Sequence, residues 1–296
     1  MPPTVFRAAL ALAALLPLAG CGSATGGPGV ATEGQAPTGA MEPPQPDEGI
    51  PLGPDRLADR LEDTHRALAA AIDGWLADGA HGARPPRPVT LYALYQQRIY
   101  LVLTPRRKLA RKVLERLRGP VAAEARDVLD ARRRLGSLST PVARHHFRTG
   151  PAEAATALRR YYRRAERRFG VSWRVLAAVN FVESAFGRLR NDSTAGARGP
   201  MQFIPSTWRA YGMGGDIDDP HDAILGAANY LHASGAPGNY RHALFAYNQS
   251  SAYVDAVLRY ARRMRHDRRA FYALYSWQVF VNTPGGITRI TGPGLD

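Results

Sequence analysis

Three short blocks in the C-terminal half of the chain combine one carboxylic acid with uncharged amide and phenol groups. They are Glu183-Ser184, Gly199-Pro200-Met201-Gln202 and Ala246-Tyr247-Asn248. Sugars are neutral and carry hydroxyl and amide groups, so uncharged hydrogen-bonding side chains beside one acid suit a polysaccharide better than a charged substrate. Together the blocks indicate cleavage of a glycosidic bond in an amino-sugar polymer.

Glu183 is the candidate acid, and the residues around it predict a helix. Ser172 is a suitable N-cap, the helix is expected to run from Trp173 to about Phe186, and Gly187 is expected to end it. Spacings of three and four place Glu183 on a largely apolar stripe formed by Leu176, Val179, Asn180 and Gly187.

The apolar stripe matters because it sets the protonation state of Glu183. A desolvated carboxyl group keeps its proton above the ~4.3 pKa of free glutamate, as a general acid must near neutral pH. The alternative is an ordinary helical glutamate in a salt bridge with Arg188 or Arg190.

The second block ends a stretch of turn formers and small residues, Asn191 to Pro200. Small side chains let a polymer approach the backbone closely, and Ser193 and Gln202 offer uncharged donors and acceptors. Pro205-Ser206-Thr207 also predicts the start of a helix with Trp208 in the core, which does not compete with a site.

The third block lies where residues 245–257 predict a helix end, a polar turn and a new helix beginning near Ser250 or Ser251. By itself a tyrosine at such a junction is more often a half-buried core aromatic. In the company of Glu183 and Gln202, we interpret Tyr247 and its neighbour Asn248 as part of the site.

These blocks resemble the signature of the lytic transglycosylases with a goose-type-lysozyme fold, over roughly residues 155–265. The motifs that carry the resemblance, in chain order, are Glu183-Ser184, Ser193-x-Ala195-Gly196-Ala197-x-Gly199-x-Met201-Gln202 and Ala246-Tyr247-Asn248. The Gly199–Trp208 segment, followed by Asp219-Pro220 and Ala227-Ala228, is similar to the form common in high-GC Gram-positive (actinobacterial) bacteria.

The resemblance implies a lysozyme-like helical catalytic domain, and with the helical N-terminal region and disordered tether that the sequence pattern predicts before it, the expected fold class is mainly α. It implies that Glu183 protonates the bond between N-acetylmuramic acid and N-acetylglucosamine in peptidoglycan, then acts as base on the muramyl C6 hydroxyl to give a 1,6-anhydromuramyl end. No metal or organic cofactor is implied. Substrate-binding roles fall to Ser184, Ser193, Gln202, Thr207, Tyr247 and Asn248.

Two positions depart from the family pattern. Many relatives have leucine where this chain has Pro200 and methionine where it has Ile204. Both departures affect the wall of the groove and leave the acid unchanged.

A second catalytic carboxylate is absent from these motifs, although ordinary glycosidases use two, ~5 to 9.5 Å apart. Attack by the substrate's own 2-acetamido oxygen would make one carboxyl group sufficient. A hydrolytic muramidase on the same fold is the nearest alternative, and an inactive wall-binding scaffold is a more distant one.

The acidic cluster Asp216–Asp222 has two readings. Asp216, Asp218 and Asp219 have the spacing of calcium ligands, but a full calcium loop is missing. Asp219-Pro220-His221-Asp222 is simpler to interpret as a helix N-cap, a proline at the first helical position and an acid in the first turn. We therefore expect no metal site.

The N-terminus predicts export. Residues 1–20 have the pattern of a lipoprotein signal peptide, and Leu18-Ala19-Gly20-Cys21 resembles a bacterial lipobox around the single cysteine. An ordinary cleaved signal with an incidental cysteine is the alternative. From Cys21 to residue 54 the chain is rich in Gly and Pro, which predicts a lipidated cysteine followed by a disordered linker. The expected location is the cell envelope, anchored at the outer face of the cytoplasmic membrane.

Residues 55–150 predict four amphipathic helices that either form a small core of their own or extend the catalytic domain, expected at 151–270. Residues 271–296 predict a tail with a short hairpin or strand.

The formal net charge of +14 is almost wholly due to arginine, because Lys108 and Lys112 are the two lysines. Export and the lack of a binding motif argue against nucleic acid.

The charge suits anionic wall polymers and lipid head groups as further candidate partners. One helix, with six arginines between Arg159 and Arg168, has a basic outer face; the simpler interpretation of that face is a solvated surface.

Overall fold

The structure is a computed structural model that describes residues 41–77 and 84–295. Within these residues the chain is mainly helical, which confirms the predicted fold class. The N-terminal helices are α1 (Pro54–Ala77), α2 (Arg87–Leu103), α3 (Arg107–Arg116) and α4 (Gly119–Gly136), followed by a 3-10 turn at Arg144–His146. The later elements are α5 (Ala155–Phe169), α6 (Trp173–Ser184), α7 (Pro205–Tyr211), α8 (Pro220–Ala233), α9 (Tyr240–Tyr247), α10 (Ser251–His266), α11 (Ala270–Ser276), β1 (Phe280–Thr283) and β2 (Gly286–Arg289).

The N-terminal helices follow the hydrophobic pattern of the sequence. The predicted apolar face of α1 is buried at Leu57, Leu61, Leu68, Ile72 and Trp75. Prolines mark the next boundaries, since α2 and α4 both have proline within their first turn, where a missing N–H costs no helical hydrogen bond.

One hydrophobic core contains side chains from both the N-terminal helices and the later ones. α4 packs along α10, α5 packs against α8 and α6, and α6 packs against α10. Residues 55–150 were predicted either to form a small core of their own or to extend the domain that follows. The shared core corresponds to the second possibility.

A buried charge cluster joins the N-terminal helices to α10. Glu124 of α4 accepts hydrogen bonds from Gln96 at 3.0 Å and Tyr100 at 3.1 Å, and it pairs with Arg263 of α10 and with His65 of α1. Desolvation raises the pKa of Glu124, but the hydrogen bond from His65 and the charge of Arg263 outweigh it, so the pKa lies below its usual value. The carboxylate therefore stays ionised inside the protein.

The segment 41–53 differs from the linker expected for residues 21–54. Met41 and Ile50 pack against the hydrophobic core. Three backbone carbonyls accept hydrogen bonds from α2 side chains: Met41 from Tyr92, Pro46 from Arg98 at 2.9 Å, and Gly49 from Tyr95 at 3.0 Å. The predicted signal peptide, Cys21 and the rest of the predicted linker lie outside the described residues.

The C-terminal part begins as a helix and ends as a hairpin. Phe271, where the tail was expected to start, is fully buried in α11. β1 and β2 pair antiparallel with Phe280 opposite Arg289, and Val279 and Val281 pack on Ala185 at the end of α6. None of the described helices has the length and apolar character needed to cross a membrane.

Candidate active site

α6 positions Glu183, although its ends differ from the prediction. The side chain of Ser172 does not cap the helix; its backbone N–H donates to Tyr240 at 2.8 Å, while the Glu166 carboxylate accepts from the first helical N–H at 3.2 Å. The helix stops at Ser184, because Ala185 and Phe186 take positive φ values of 51° and 64°. Glu183 is therefore in the last turn, at the mouth of the next loop.

Burial desolvates the Glu183 carboxyl group, although the residue as a whole is partly exposed. Its Oε1 atom accepts a hydrogen bond of 2.7 Å from the hydroxyl of Tyr253. Burial raises the pKa of Glu183 to about 8, and the Tyr253 hydrogen bond lowers it in part. No described residue forms a hydrogen bond with Oε2. A neutral acid held through Oε1 can present the Oε2 proton to a ligand.

The salt-bridge alternative for Glu183 does not occur among the described residues. Arg188 lies over the ring of Tyr275, 4.7 Å from its centroid, and donates to the carbonyl of Ala185 at 3.1 Å. Arg190 donates to the carbonyl of Pro151 at 3.1 Å. Among the described residues no cation lies beside the carboxyl group, so the Tyr253 hydrogen bond is the contact that favours ionisation and burial outweighs it.

The loop from Arg198 to Phe203 is a tight turn closed by two backbone hydrogen bonds of 2.9 Å between those residues. Gly199 has φ 74°, and a Cβ there would overlap the carbonyl oxygen of Ile217, so the position requires glycine. Gln202 also has a positive φ, 49°, which is uncommon for a residue with a side chain. The surrounding contacts must hold this backbone in place.

The contacts that hold the loop backbone come from the other two blocks and from Asn180 of α6. Ser184 donates to the carbonyl of Pro200 at 2.6 Å, and Asn180 donates to the same oxygen at 2.7 Å. Tyr247, at the end of α9, donates to the carbonyl of Met201 at 2.7 Å. The structure thus brings the three sequence blocks together around the loop.

Ser184 and Tyr247 both hold the backbone around the site in place. Ser184 is buried and also accepts from the N–H of Gly187 at 2.8 Å, so it fixes the turn and cannot contact a ligand directly. Tyr247 is half-buried, and burial raises its pKa well above the usual value, with the nearby Glu183 carboxyl as the next cause. Its phenol therefore stays protonated and close to the acid.

The remaining predicted site residues are partly exposed. Gln202 donates to the carbonyls of Gly199 and Asn191 at 3.0 and 3.2 Å, which leaves its side-chain oxygen without a partner among the described residues. The Ser193 hydroxyl accepts from the N–H of Ala197 at 2.9 Å. Thr207 lies in α7, and Asn248 ends α9 with a side chain that bonds to no described residue.

Tyr253 is the site residue that the sequence analysis missed. Ser250 caps α10 by accepting a hydrogen bond from the N–H of Tyr253 at 3.3 Å, so Tyr253 lies in the first turn of the helix. The Tyr253 side chain is fully buried. A helix start near Ser250 was predicted, and Tyr253 begins the buried face of that helix. The pattern could identify it as a core residue but could not indicate that its hydroxyl meets Glu183.

Aromatic rings pack around the loop from Arg198 to Phe203. Phe203 lies 5.7 Å from Tyr247 and 5.2 Å from Trp208 between ring centroids, and Tyr230 lies 5.7 Å from Tyr247. Trp208 is half-buried in α7, which begins at Pro205 as predicted. The rings give the loop a rigid support.

The acidic cluster caps a helix. Asp219 accepts from the N–H of Asp222 at 3.0 Å, and Pro220 is the first residue of α8. Asp222 accepts from the N–H of Asp216 and contacts His221 at 2.9 Å. Asp219, His221 and Asp222 are close enough together to share an ion; within the described chain the Asp219 carboxylate caps α8, and the Asp222 carboxylate bonds to Asp216 and His221.

Comparison with known proteins supports the same region. Residues 160–269 match the family model described as the transglycosylase SLT domain. A segment is 32% identical over 113 residues to the membrane-bound lytic murein transglycosylase F of Thiobacillus denitrificans. That match covers 36% of this chain and 24% of the relative, so this chain spans about a quarter of the relative's length. No solved structure shows a significant match to the chain.

Proposed function

We propose that this chain is a peptidoglycan lytic transglycosylase in which Glu183 is the single general acid and base. The observation that carries the proposal is the desolvated Glu183 carboxyl group, whose pKa of about 8 keeps it protonated near neutral pH. The match of residues 160–269 to the transglycosylase SLT domain supports the same class of reaction.

In the proposed reaction, the Oε2 proton of Glu183 passes to the glycosidic oxygen after the N-acetylmuramic acid residue as the bond breaks. The acetamido oxygen of that sugar attacks its own anomeric carbon and forms an oxazolinium-type ring. The Glu183 carboxylate then takes the proton of the C6 hydroxyl, whose oxygen attacks the anomeric carbon and closes the 1,6-anhydro ring. The acetamido group is released and Glu183 is again protonated.

Two features of the site support this sequence. The pKa of Glu183 is set by burial and by the hydrogen bond from Tyr253. Among the described residues, no second carboxylate shifts this pKa, which fits a single acid. The C6 hydroxyl belongs to the reacting sugar, and attached nucleophiles in model systems reach effective molarities of ~10⁵ M or more. Intramolecular capture should therefore exceed attack by water.

Glu183→Gln tests the acid. The variant keeps the shape of the side chain and can still accept from Tyr253, but it has no transferable proton, so strand cleavage should be abolished. Tyr247→Phe and Gln202→Ala should each slow cleavage less, because these residues hold the loop and the glycan rather than the proton. Turnover of Glu183→Gln close to that of the unchanged protein would remove Glu183 from the mechanism.

Mass spectrometry of the products from purified glycan strands tests the reaction type. Anhydromuramyl ends should dominate. Ends heavier by one water, which carry reducing muramic acid, would instead identify a hydrolytic muramidase on the same site.

The proposed location is the cell envelope, with the lipid anchor at Cys21. The name of the relative, a membrane-bound transglycosylase, supports an envelope location. Cys21→Ala should move the protein from the membrane fraction to the soluble fraction. The membranes must be washed at high salt, because basic residues alone can bind anionic lipids and salt screens that attraction. Unchanged retention after the wash would contradict the anchor.

A further inference from the structure

The outer face of α5 forms a basic groove on the side of the helix that faces away from the core. Leu158, Tyr162 and Ala165 bury the inner face. The α5 groove is open to solvent, has a volume of about 450 Å³ and is lined by Arg159, Arg160, Tyr161, Arg163, Arg164, Arg167 and His221. It is a concave surface dominated by guanidinium groups.

The positive charge of the α5 groove is largely uncompensated within the described chain. Arg163 pairs with Glu166 at 3.0 Å. Arg160, Arg164 and Arg167 are exposed and form no ion pair with a described residue. This differs from the arginines of α10, several of which pair with carboxylates of α4.

Part of the groove is fixed before any ligand arrives. The Arg159 guanidinium lies 4.2 Å from the ring centroid of Trp173, and Arg163 lies 5.2 Å from it. Trp173 is itself buried, so it is a rigid platform. Stacking occupies the guanidinium faces and leaves the N–H edges free, and these edges match the oxygens of a phosphate group.

From the unpaired and stacked guanidinium groups in one groove, we propose that the α5 groove binds a linear phosphodiester polymer without nucleobases, of the poly(glycerol phosphate) type. Arginines four residues apart, such as Arg160 and Arg164, are ~6 Å apart along the helix axis at ~1.5 Å per residue. Successive charges along α5 can therefore meet successive phosphates of one chain. The proposal does not depend on glycan cleavage.

The surface favours a soluble polymer over a bilayer or a nucleic acid. Among the described residues, the large hydrophobic side chains that are exposed are Leu52, Met213, Phe245 and Leu295, and none of them is in α5. The face thus lacks the apolar side chains with which interfacial helices enter a membrane. The aromatic rings in the groove lining are Tyr161 and His221, which pack edge-on against each other with 5.2 Å between ring centroids, so the groove lacks a row of rings on which successive bases could stack.

A bound polymer would leave the candidate active site accessible. The inner face of α5 is the one that reaches the site, since Tyr162 donates to Asn180 at 2.6 Å and Asn180 donates to the loop at Pro200. The groove is on the opposite face of the same helix. The polymer could hold the protein at a polyanion while Glu183 remains free.

The test measures binding of fluorescein-labelled poly(glycerol phosphate) to the full chain by fluorescence anisotropy at several salt concentrations. The groove variant combines Arg160→Gln, Arg164→Gln and Arg167→Gln. The matched control removes the same charge from the exposed basic helix α3 through Arg107→Gln, Lys108→Gln and Lys112→Gln. Thermal unfolding of both variants verifies that the fold is kept.

At low salt, the groove variant should bind about tenfold more weakly and the control should change by less than about twofold. If three phosphate contacts are lost at ~0.7 released ions each, the slope of log affinity against log salt should fall by ~2 in the groove variant. Equal weakening of both variants, or no binding by the unchanged protein, would overturn the proposal. Tighter groove-dependent binding of anionic phospholipid vesicles or single-stranded DNA would also overturn it.

Discussion

Replacing Glu183 with glutamine should stabilise the fold by an amount that grows with pH. The pKa of Glu183 is about 8 in the folded protein, against ~4.3 for an unfolded glutamate. Below the unfolded value both states are protonated and the residue contributes nothing. Above it, the unfolded chain can ionise while the folded protein cannot, so stability falls with rising pH until the pH passes about 8.

The size of the effect follows from this difference in pKa. Each unit of pH between the two values costs the folded state ~1.4 kcal/mol. Glu183→Gln should therefore have a higher free energy of unfolding than the unchanged protein, by ~1 kcal/mol at a pH near 5 and by ~3.6 kcal/mol at a pH near 7. The glutamine oxygen can still accept from Tyr253, so the two proteins differ mainly in the charge that the carboxyl group would carry.

Urea denaturation of both proteins at each pH, with linear extrapolation to water, measures this difference. Glu115→Gln is the matched control, since its carboxylate is exposed in a pair with Arg111 at 3.8 Å, and its substitution should change the free energy of unfolding by less than ~1 kcal/mol. A stability difference for Glu183→Gln that stayed constant from acid to neutral pH would mean that the carboxyl group ionises normally in the fold. The physical basis for Glu183 as a general acid would then be lost.

Two further variants test the surroundings of the acid. Tyr253→Phe removes the hydrogen bond that lowers the pKa of Glu183, so the alkaline limb of the pH–rate profile on purified glycan strands should move to higher pH. Tyr260→Phe, on the same helix and with a hydroxyl that has no partner in the described chain, should leave the limb in place, and equal shifts would contradict this role for Tyr253. Arg263→Met removes one of the two basic partners of the buried Glu124 carboxylate and leaves His65 as the other, and it should lower the free energy of unfolding by about 3 kcal/mol in urea denaturation. Arg66→Met, in an exposed pair, should change it by less than ~1 kcal/mol, and similar losses in both would count against the buried pair.

The elements that could be predicted from sequence are those with strong local signals. Asp219-Pro220 marks the cap and first turn of α8, and Ser250 caps α10, because both signals depend on residues within one turn of the helix. Glu183 could be placed on an apolar stripe because helical spacing alone defines that face. Its raised pKa then follows from burial, which is the main cause in the structure.

Contacts between distant segments could not be predicted in this way. Ser172 has the residue type of an N-cap, yet the carboxylate of Glu166 on the preceding helix serves the first N–H of α6. The segment 41–53 has a linker composition, but its backbone carbonyls find donors on α2 about fifty residues later. Composition and periodicity describe one segment at a time and carry no signal for such hydrogen bonds.

Contacts between distant segments also connect Tyr253 to Glu183 and the N-terminal helices to α10, so the sequence pattern predicted neither. Tyr253 meets Glu183 from the first turn of α10, and Arg263, near the other end of α10, pairs with the buried Glu124 of α4. α4 also packs along the length of α10. Because a helix moves as a rigid element, the contacts that fix α10 against the N-terminal helices also fix the hydroxyl that meets the acid. Residues far outside the motifs therefore help to set the geometry, and through it the pKa, of Glu183.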